Sequence, residues 1–191
     1  MRAHRLATIT VAAAALLLGS TAPAIATSGS DAAPFAAQAT AAHLTTSQTN
    51  SLRAEVRRIM ATTGGKQVAL NKIDLNGQGN VLVAIPGEAH PRNLPTSSAD
   101  EYDHCTEGDV YSGYFCAYAS PSYQGTEIQM FACKAYPIPW VGNGSWINDQ
   151  YPGTQARFYN NSGTKIFTTP VPFSWNTNYS TWTNVHTIWP C

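Results

Sequence analysis

Hydrophobic and polar positions change their rhythm several times along the chain. Residues 6–18 form an apolar run rich in alanine and leucine, preceded by Arg2, His4 and Arg5 and broken by residues 19–23. A membrane span takes ~20 apolar residues, so the run is too short to be an anchor. With Ala24-Ile25-Ala26 supplying a small-x-small cleavage pattern, residues 1–26 read as a secretory signal. Residues 27–43 are mostly Ala, Ser, Thr, Gly and Pro, with Phe35 their one aromatic, and are expected to be a flexible leader.

From residue 44 the rhythm is helical. Leu52, Val56, Ile59 and Met60 recur at i, i+4, i+7 and i+8, which predicts one buried face of a helix over 44–63. Thr45 and Gln48 have the spacing of a capping box at its start, and Gly64-Gly65 ends it. Arg53, Arg57 and Arg58 lie off the stripe. Three charges are too few for a membrane-surface helix, so they read as a solvated face. Two strands come next, 67–75 and 80–85, joined by Asn76-Gly77-Gln78-Gly79 and stopped by Pro86-Gly87. This helix-hairpin unit, 44–87, is too small to sustain a core alone and is expected to pack on the C-terminal half of the chain. Residues 88–104 read as a linker. The acidic cluster Asp100, Glu101, Asp103, Glu107 and Asp109 matches no EF-hand spacing and reads as solvated.

Residues 105–191 are different. Short β-prone runs at 114–119, 127–133, 155–159, 165–169 and 184–189 alternate with Gly, Pro, Asn and Ser turns, the pattern of an all-β sandwich or barrel. Eighteen of the chain's 20 aromatic side chains lie here with only seven charged ones, so the segment has the material for a dense core.

Composition narrows the function. Over 191 residues, Lys plus Arg and Asp plus Glu stand at 11 each. That balance excludes a basic nucleic-acid binder and a polyanionic tail, and 43% hydrophobic residues exclude general disorder. All four cysteines, Cys105, Cys116, Cys133 and Cys191, fall in the β-prone segment. In an exported chain an even number reads as two disulfides, and no C-x-x-C pair argues for zinc. Three connectivities are possible. Cys105–Cys116 with Cys133–Cys191 is favoured: one closes a local loop, and the other ties down a terminal residue that would otherwise fray.

One motif is specific. Tyr118-Ala-Ser-Pro-Ser-Tyr123-Gln-Gly125 places an aromatic, four residues, an aromatic, one residue and a glycine in order. Such a segment folds a strand over into a hairpin, packs the two rings as a corner, and uses glycine for a backbone angle other residues resist. Together with Cys105, the Ser112–Tyr118 run, Phe131-Ala132-Cys133, the 144–150 stretch and the 156–163 stretch, it resembles the secreted actinobacterial βγ-crystallin-like family typified by the Streptomyces metalloproteinase inhibitor. The resemblance covers about 105–170 well and the tail loosely, and does not extend to the helix-hairpin unit. It implies a mainly β fold, a Greek-key βγ-crystallin-like sandwich at the C-terminus preceded by the helix-hairpin unit, and a peptidase-inhibitor function. The crystallin-type calcium motif begins at Asn148-Asp149, but Pro152-Gly153 replaces its hydroxyl pair, so calcium is only weakly indicated and no other cofactor is expected.

Catalytic patterns are missing from the sequence. There is no G-x-S-x-G, H-E-x-x-H or phosphate loop; His43, His90 and His104 fall in leader or linker, and His186 stands apart. Glu127 with Asp149 are the one carboxylate pair a glycosidase could use, but a small Greek-key domain offers no deep cleft. The expectation is a secreted, extracellular, non-enzymatic binding protein, with a proteinase as partner and neither nucleic acid nor membrane. The candidate contact segment is 134–140, with Tyr136, Ile138 and Trp140 as anchors and Pro137 and Pro139 stiffening it. A carbohydrate or cell-wall module, stacking sugars on Trp140, Trp146, Trp175 and Trp182 with Asn143, Asn176 and Asn178 bonding hydroxyls, is the alternative, with a structural crystallin-like module behind it.

Overall fold

The structure, a computed structural model, describes residues 33–94, 104–105 and 110–191; the signal segment and the acidic cluster lie outside the described residues. Helix α2 (Thr46–Thr63) begins where its cap requires. The Gln48 amide donates to the Thr45 hydroxyl at 3.2 Å, and the Thr45 amide donates back to Gln48 Oε1 at 3.0 Å. Its stripe of Leu52, Val56 and Ile59 is fully buried, each contributing about 1.5–3 kcal/mol. On its outer side Arg58 donates to the carbonyl of Pro139 at 2.8 Å, tying the helix to the β region.

The leader expected to be flexible is in part a helix, α1 (Ala33–Ala41). Alanine has the highest helix propensity, a property that the small-residue composition concealed. Ala39 is buried, Phe35 packs against the core, and Gln38 Oε1 accepts the Leu70 amide at 2.6 Å.

The expected hairpin is three strands: β1 (Lys66–Ala69), β2 (Lys72–Asp74) and β3 (Gly79–Leu82). The long first strand breaks at Leu70-Asn71, where Asn71 turns inward and donates to the carbonyls of Val83 (3.1 Å) and Arg92 (2.9 Å). The second turn is as expected, with Asn76 and Gly77 at φ 61° and 67°. The expected linker is also ordered at its start: Leu94 is buried, and the Gly125 amide donates to Ala89 O at 2.8 Å.

Eight further strands complete the chain: β4 (Tyr114–Ser120), β5 (Gln124–Met130), β6 (Tyr136–Pro137), β7 (Gly144–Asp149), β8 (Arg157–Tyr159), β9 (Lys165–Thr168), β10 (Ser174–Tyr179) and β11 (Thr187–Trp189). They form a seven-stranded sheet, β1-β2-β3-β5-β4-β7-β10, facing a four-stranded one, β6-β11-β8-β9. Two Greek-key units are interleaved. In β4–β7 the first, second and fourth strands lie together and the third, β6, crosses to the other sheet. In β8–β11 the same happens in reverse, and β10 crosses back. The fold class expected from the sequence, a mainly β Greek-key sandwich, is the one observed.

Directly paired residues share a face of a sheet. On the inner face Ile73, Val81, Ile128, Ala117 and Trp146 lie in one row. They meet Phe158 and Ile188 of the smaller sheet and the α2 stripe in one continuous core. Phe158 is the hub, with the rings of Phe115, Phe167, Tyr179 and Trp182 all within 5.9 Å of it centre to centre.

Residues 44–87 are therefore not a separate unit. β3 pairs with β5 through four residues, Gly79↔Met130 to Leu82↔Glu127, and extends the large sheet. Gly79 permits the approach: a Cβ there would sit 2.5 Å from the Gln129 carbonyl oxygen and 3.1 Å from the Tyr136 ring. Gly79→Val is expected to cost on the order of 1–3 kcal/mol by overpacking, read as a lower denaturant midpoint with faster amide exchange in β5. An unchanged midpoint would mean that the N-terminal strands add nothing to the sandwich.

Candidate functional site

The outer face of the large sheet carries a second, smaller cluster: Cys105, Cys116, Tyr118 and Ile147, with Tyr114 and Tyr123 against it. Its walls come from identifiable sequence features. Cys105 is joined to Cys116 of β4, and Cys133 to Cys191, the pairing that the sequence favours. With sequence separations of 11 and 58, the chain-entropy account gives about 3 and about 4 kcal/mol.

The aromatic corner is built as its motif requires. The Tyr118 and Tyr123 rings lie 5.5 Å apart, and Gly125 takes φ 77°, with Ser120 Oγ 3.1 Å from where a Cβ would be. Ser145 of β7 closes the corner: its hydroxyl donates to Ser120 O at 2.7 Å and accepts the Tyr123 amide at 2.8 Å. Sequence reasoning missed Ser145, because an isolated serine carries no spacing signal until the hairpin folds over it. Burial pushes the Tyr123 phenol up.

Beside this corner runs β10, the last strand of the large sheet. Trp175 pairs with Ile147 and so points to the outer face, and Phe173 lies against it, ring centres 5.4 Å apart. The two are 56% and 41% exposed. Between them and the corner is a cleft of about 370 Å³ lined by Cys105, Tyr123, Ile147, Phe173 and Trp175. Its walls are a disulfide, a pinned turn and a paired strand, and among the described residues the tyrosine phenol is the one titratable group in the lining. Such a cleft can receive an apolar side chain.

The other sequence candidates fall elsewhere. The segment 134–140 does not stand out from the surface. Tyr136 and Ile138 are core residues, Pro139 is buried, Pro137 and Trp140 are partly covered, and β6 pairs with β11. The Tyr136 hydroxyl donates to Gln78 O and accepts the Ala132 amide at 3.2 Å, so the expected anchor is a strut between Greek key and N-terminal strands. Alternation along a short crossing strand turned its apolar residues inward, which the spacing of prolines did not reveal.

Asn148 and Asp149 are successive residues of β7 and so point to opposite faces. Asn148 donates inward to the carbonyls of Thr154 (3.1 Å) and Pro170 (3.0 Å), and its own oxygen accepts from Gln150 at 2.9 Å. Asp149 accepts the amides of Tyr111 (2.5 Å) and Ser112 (3.2 Å). Their oxygens are committed to holding loops and do not converge on a common ion. Glu127 and Asp149 are both buried, on strands either side of β4, and form no open carboxylate pair. Of the tryptophans considered for sugar stacking, Trp146 and Trp182 are buried, Trp140 is partly so, and Trp175 is open. Its ring and that of Phe173 lie at 47°, which gives no flat platform. Asn176 is occupied locally, accepting the Asn178 amide at 2.8 Å.

Fold and site together define a disulfide-stapled, interleaved Greek-key sandwich with an apolar cleft at one sheet edge. In comparisons with known proteins, no family model, no curated protein and no solved structure matches the chain. Disulfides form and persist in oxidising compartments, and among the described residues no helix is long and apolar enough to cross a membrane.

The Tyr136 strut is testable by pH. Burial pushes its phenol up to about 12, against about 10 in an unfolded chain. Below about pH 10 the phenol is neutral in both states and its contribution is whole; between about 10 and 12 the unfolded chain ionises first and stability falls. Tyr136→Phe is expected to make the alkaline fall of the urea midpoint shallower, leaving the part due to Tyr123 and Tyr179, whose phenols burial also raises. An identical alkaline slope in the variant would show that Tyr136 ionises as freely as in the unfolded chain.

Proposed function

We propose that the protein is secreted and acts by binding another extracellular protein, a proteinase being the partner class that its motif resemblance implies. The observation that carries this reading is the exposed Phe173–Trp175 pair over a cleft whose walls are fixed by the Cys105–Cys116 bridge and the Tyr118–Tyr123 corner. Tryptophan and tyrosine at the centre of a rigid apolar patch supply most of the binding energy in protein interfaces. Rigid walls lower the ordering cost of association. The contact surface in this reading is the β10 edge with Phe173 and Trp175, in place of the 134–140 segment. Among the described residues the lining holds no carboxylate, imidazole or amine, which supports binding over catalysis.

The test is to incubate the signal-free protein with metallo-, serine and cysteine proteinases. Inhibition of at least one is expected at ~1 μM protein, the affinity range of an ordinary specific complex. Trp175→Ala should weaken that inhibition by roughly 10- to 100-fold, as loss of an interface anchor does, while the thermal midpoint stays put because the ring is exposed. Inhibition of none of the three classes, or inhibition indifferent to Trp175→Ala, would overturn the reading.

A further inference from the structure

A second concavity, sharing no lining residue with the first, has the opposite chemistry. A groove of about 550 Å³ runs between the β8–β9 turn and the chain leading into β11. On one wall stand Asn161 and Ser162, on the other Thr183, Asn184 and His186, with Ile166 at its base. Among the described residues, no carboxylate, lysine or arginine lines it.

Both walls are held from behind. Asn160 Oδ1 accepts the amides of Ser162 (3.1 Å) and Thr164 (2.9 Å) and the Ser162 hydroxyl (2.7 Å), which fixes the turn. Opposite, Trp182 is wholly buried and its indole donates to Tyr118 O at 2.9 Å; its carbonyl accepts the Val185 amide at 2.8 Å, and the His186 amide donates to Tyr159 O at 2.8 Å. Gly142 donates to Thr183 Oγ1 at 3.1 Å, leaving that hydroxyl's proton to point elsewhere. The backbone is thus pinned, while the side-chain amides of Asn161 and Asn184 and the His186 ring are exposed and make no hydrogen bond among the described residues.

Each asparagine amide offers two N–H donors and a two-lone-pair acceptor in one plane, each hydroxyl gives and accepts, and imidazole does either. A ligand complementary to such a lining is uncharged, rich in groups that donate and accept at once, and has an apolar flank to rest on Ile166, which is 41% exposed. Adjacent ring hydroxyls over a C–H face have that character. We propose that this groove is a binding site for a neutral oligosaccharide. It is independent of the Phe173–Trp175 cleft and of what that cleft binds.

The test is a titration of the full disulfide-bonded protein with neutral oligosaccharides, namely chitotriose, cellotetraose, maltotetraose and mannotriose, each to ~10 mM, monitored by amide NMR. Open, water-exposed sites of this kind give dissociation constants near a millimolar or above. For at least one sugar, saturable shifts are expected at the Asn161 and Asn184 side-chain amides and at residues 183–186, with none at Phe173 or Trp175. The double variant Asn161→Ala/Asn184→Ala removes two exposed side chains that hold no structural bond. It should keep the wild-type spectrum elsewhere and weaken that sugar by about tenfold or more. Trp175→Ala should leave sugar binding unchanged, which separates this site from the protein-binding one. No saturable shift with any of the four sugars, shifts centred on Phe173–Trp175, or full binding in the double variant would each overturn the proposal.

Discussion

The contact on which the architecture depends is the seat of Trp182 above Gly144. A Cβ at Gly144 would run into the indole, so the ring closes on bare backbone and donates to the Tyr118 carbonyl at 2.9 Å. Trp182 belongs to the second Greek key, Gly144 and Tyr118 to the first. The bond therefore crosses the place where the two units exchange strands. Phe158, Tyr179 and Phe167 pack around the same indole or its neighbours, so one aromatic cluster fills both halves. Neither unit can complete a sheet alone, since each lends its third strand to the other.

That interlock frees the outer surfaces for binding. With stability lodged in the shared core, two disulfides and the added strands β1–β3, the edge at β10 can leave Phe173 and Trp175 open. The groove near β11 can leave two amides and an imidazole unspent. Exposed apolar rings are tolerated here because the shared core carries the stability, while the groove's polar groups are exposed to water. Strand β7 connects the surfaces to the core: Trp146 and Asn148 face in, while Ser145, Ile147 and Asp149 face out to hold the corner, the cleft floor and the 111–112 amides.

Much of this was legible along the chain because it rests on local rules. The α2 cap and stripe, the Asn76-Gly77 turn, the Tyr118–Gly125 corner and five of the β runs each depend on residues close in sequence. The disulfide pairing came from loop lengths. Strands β7 and β10 were not legible. β7 is buried on both faces and carries Gly, Ser, Asn and Asp, so no alternation marks it. β10 is an exposed edge whose Asn and Thr look like loop. Helix α1 was hidden by a composition shared with flexible leaders, and becomes a helix through Phe35, Gln38 and Ala39, which find partners far along the chain.

By itself the sequence determined the class: an aromatic-rich β sandwich, covalently stapled, with a helix ahead of it; it favoured one cysteine pairing of three, and the folded chain has that pairing. Those features arise from propensity, periodicity and chain entropy, which act over short range or depend only on separation. Tertiary structure alone decided which apolar residues became surface. Tyr136 and Ile138 went inside and Phe173 and Trp175 stayed out because burial depends on which strand crosses to which sheet, and that is set by the packing of Trp182 and Phe158 between the two units.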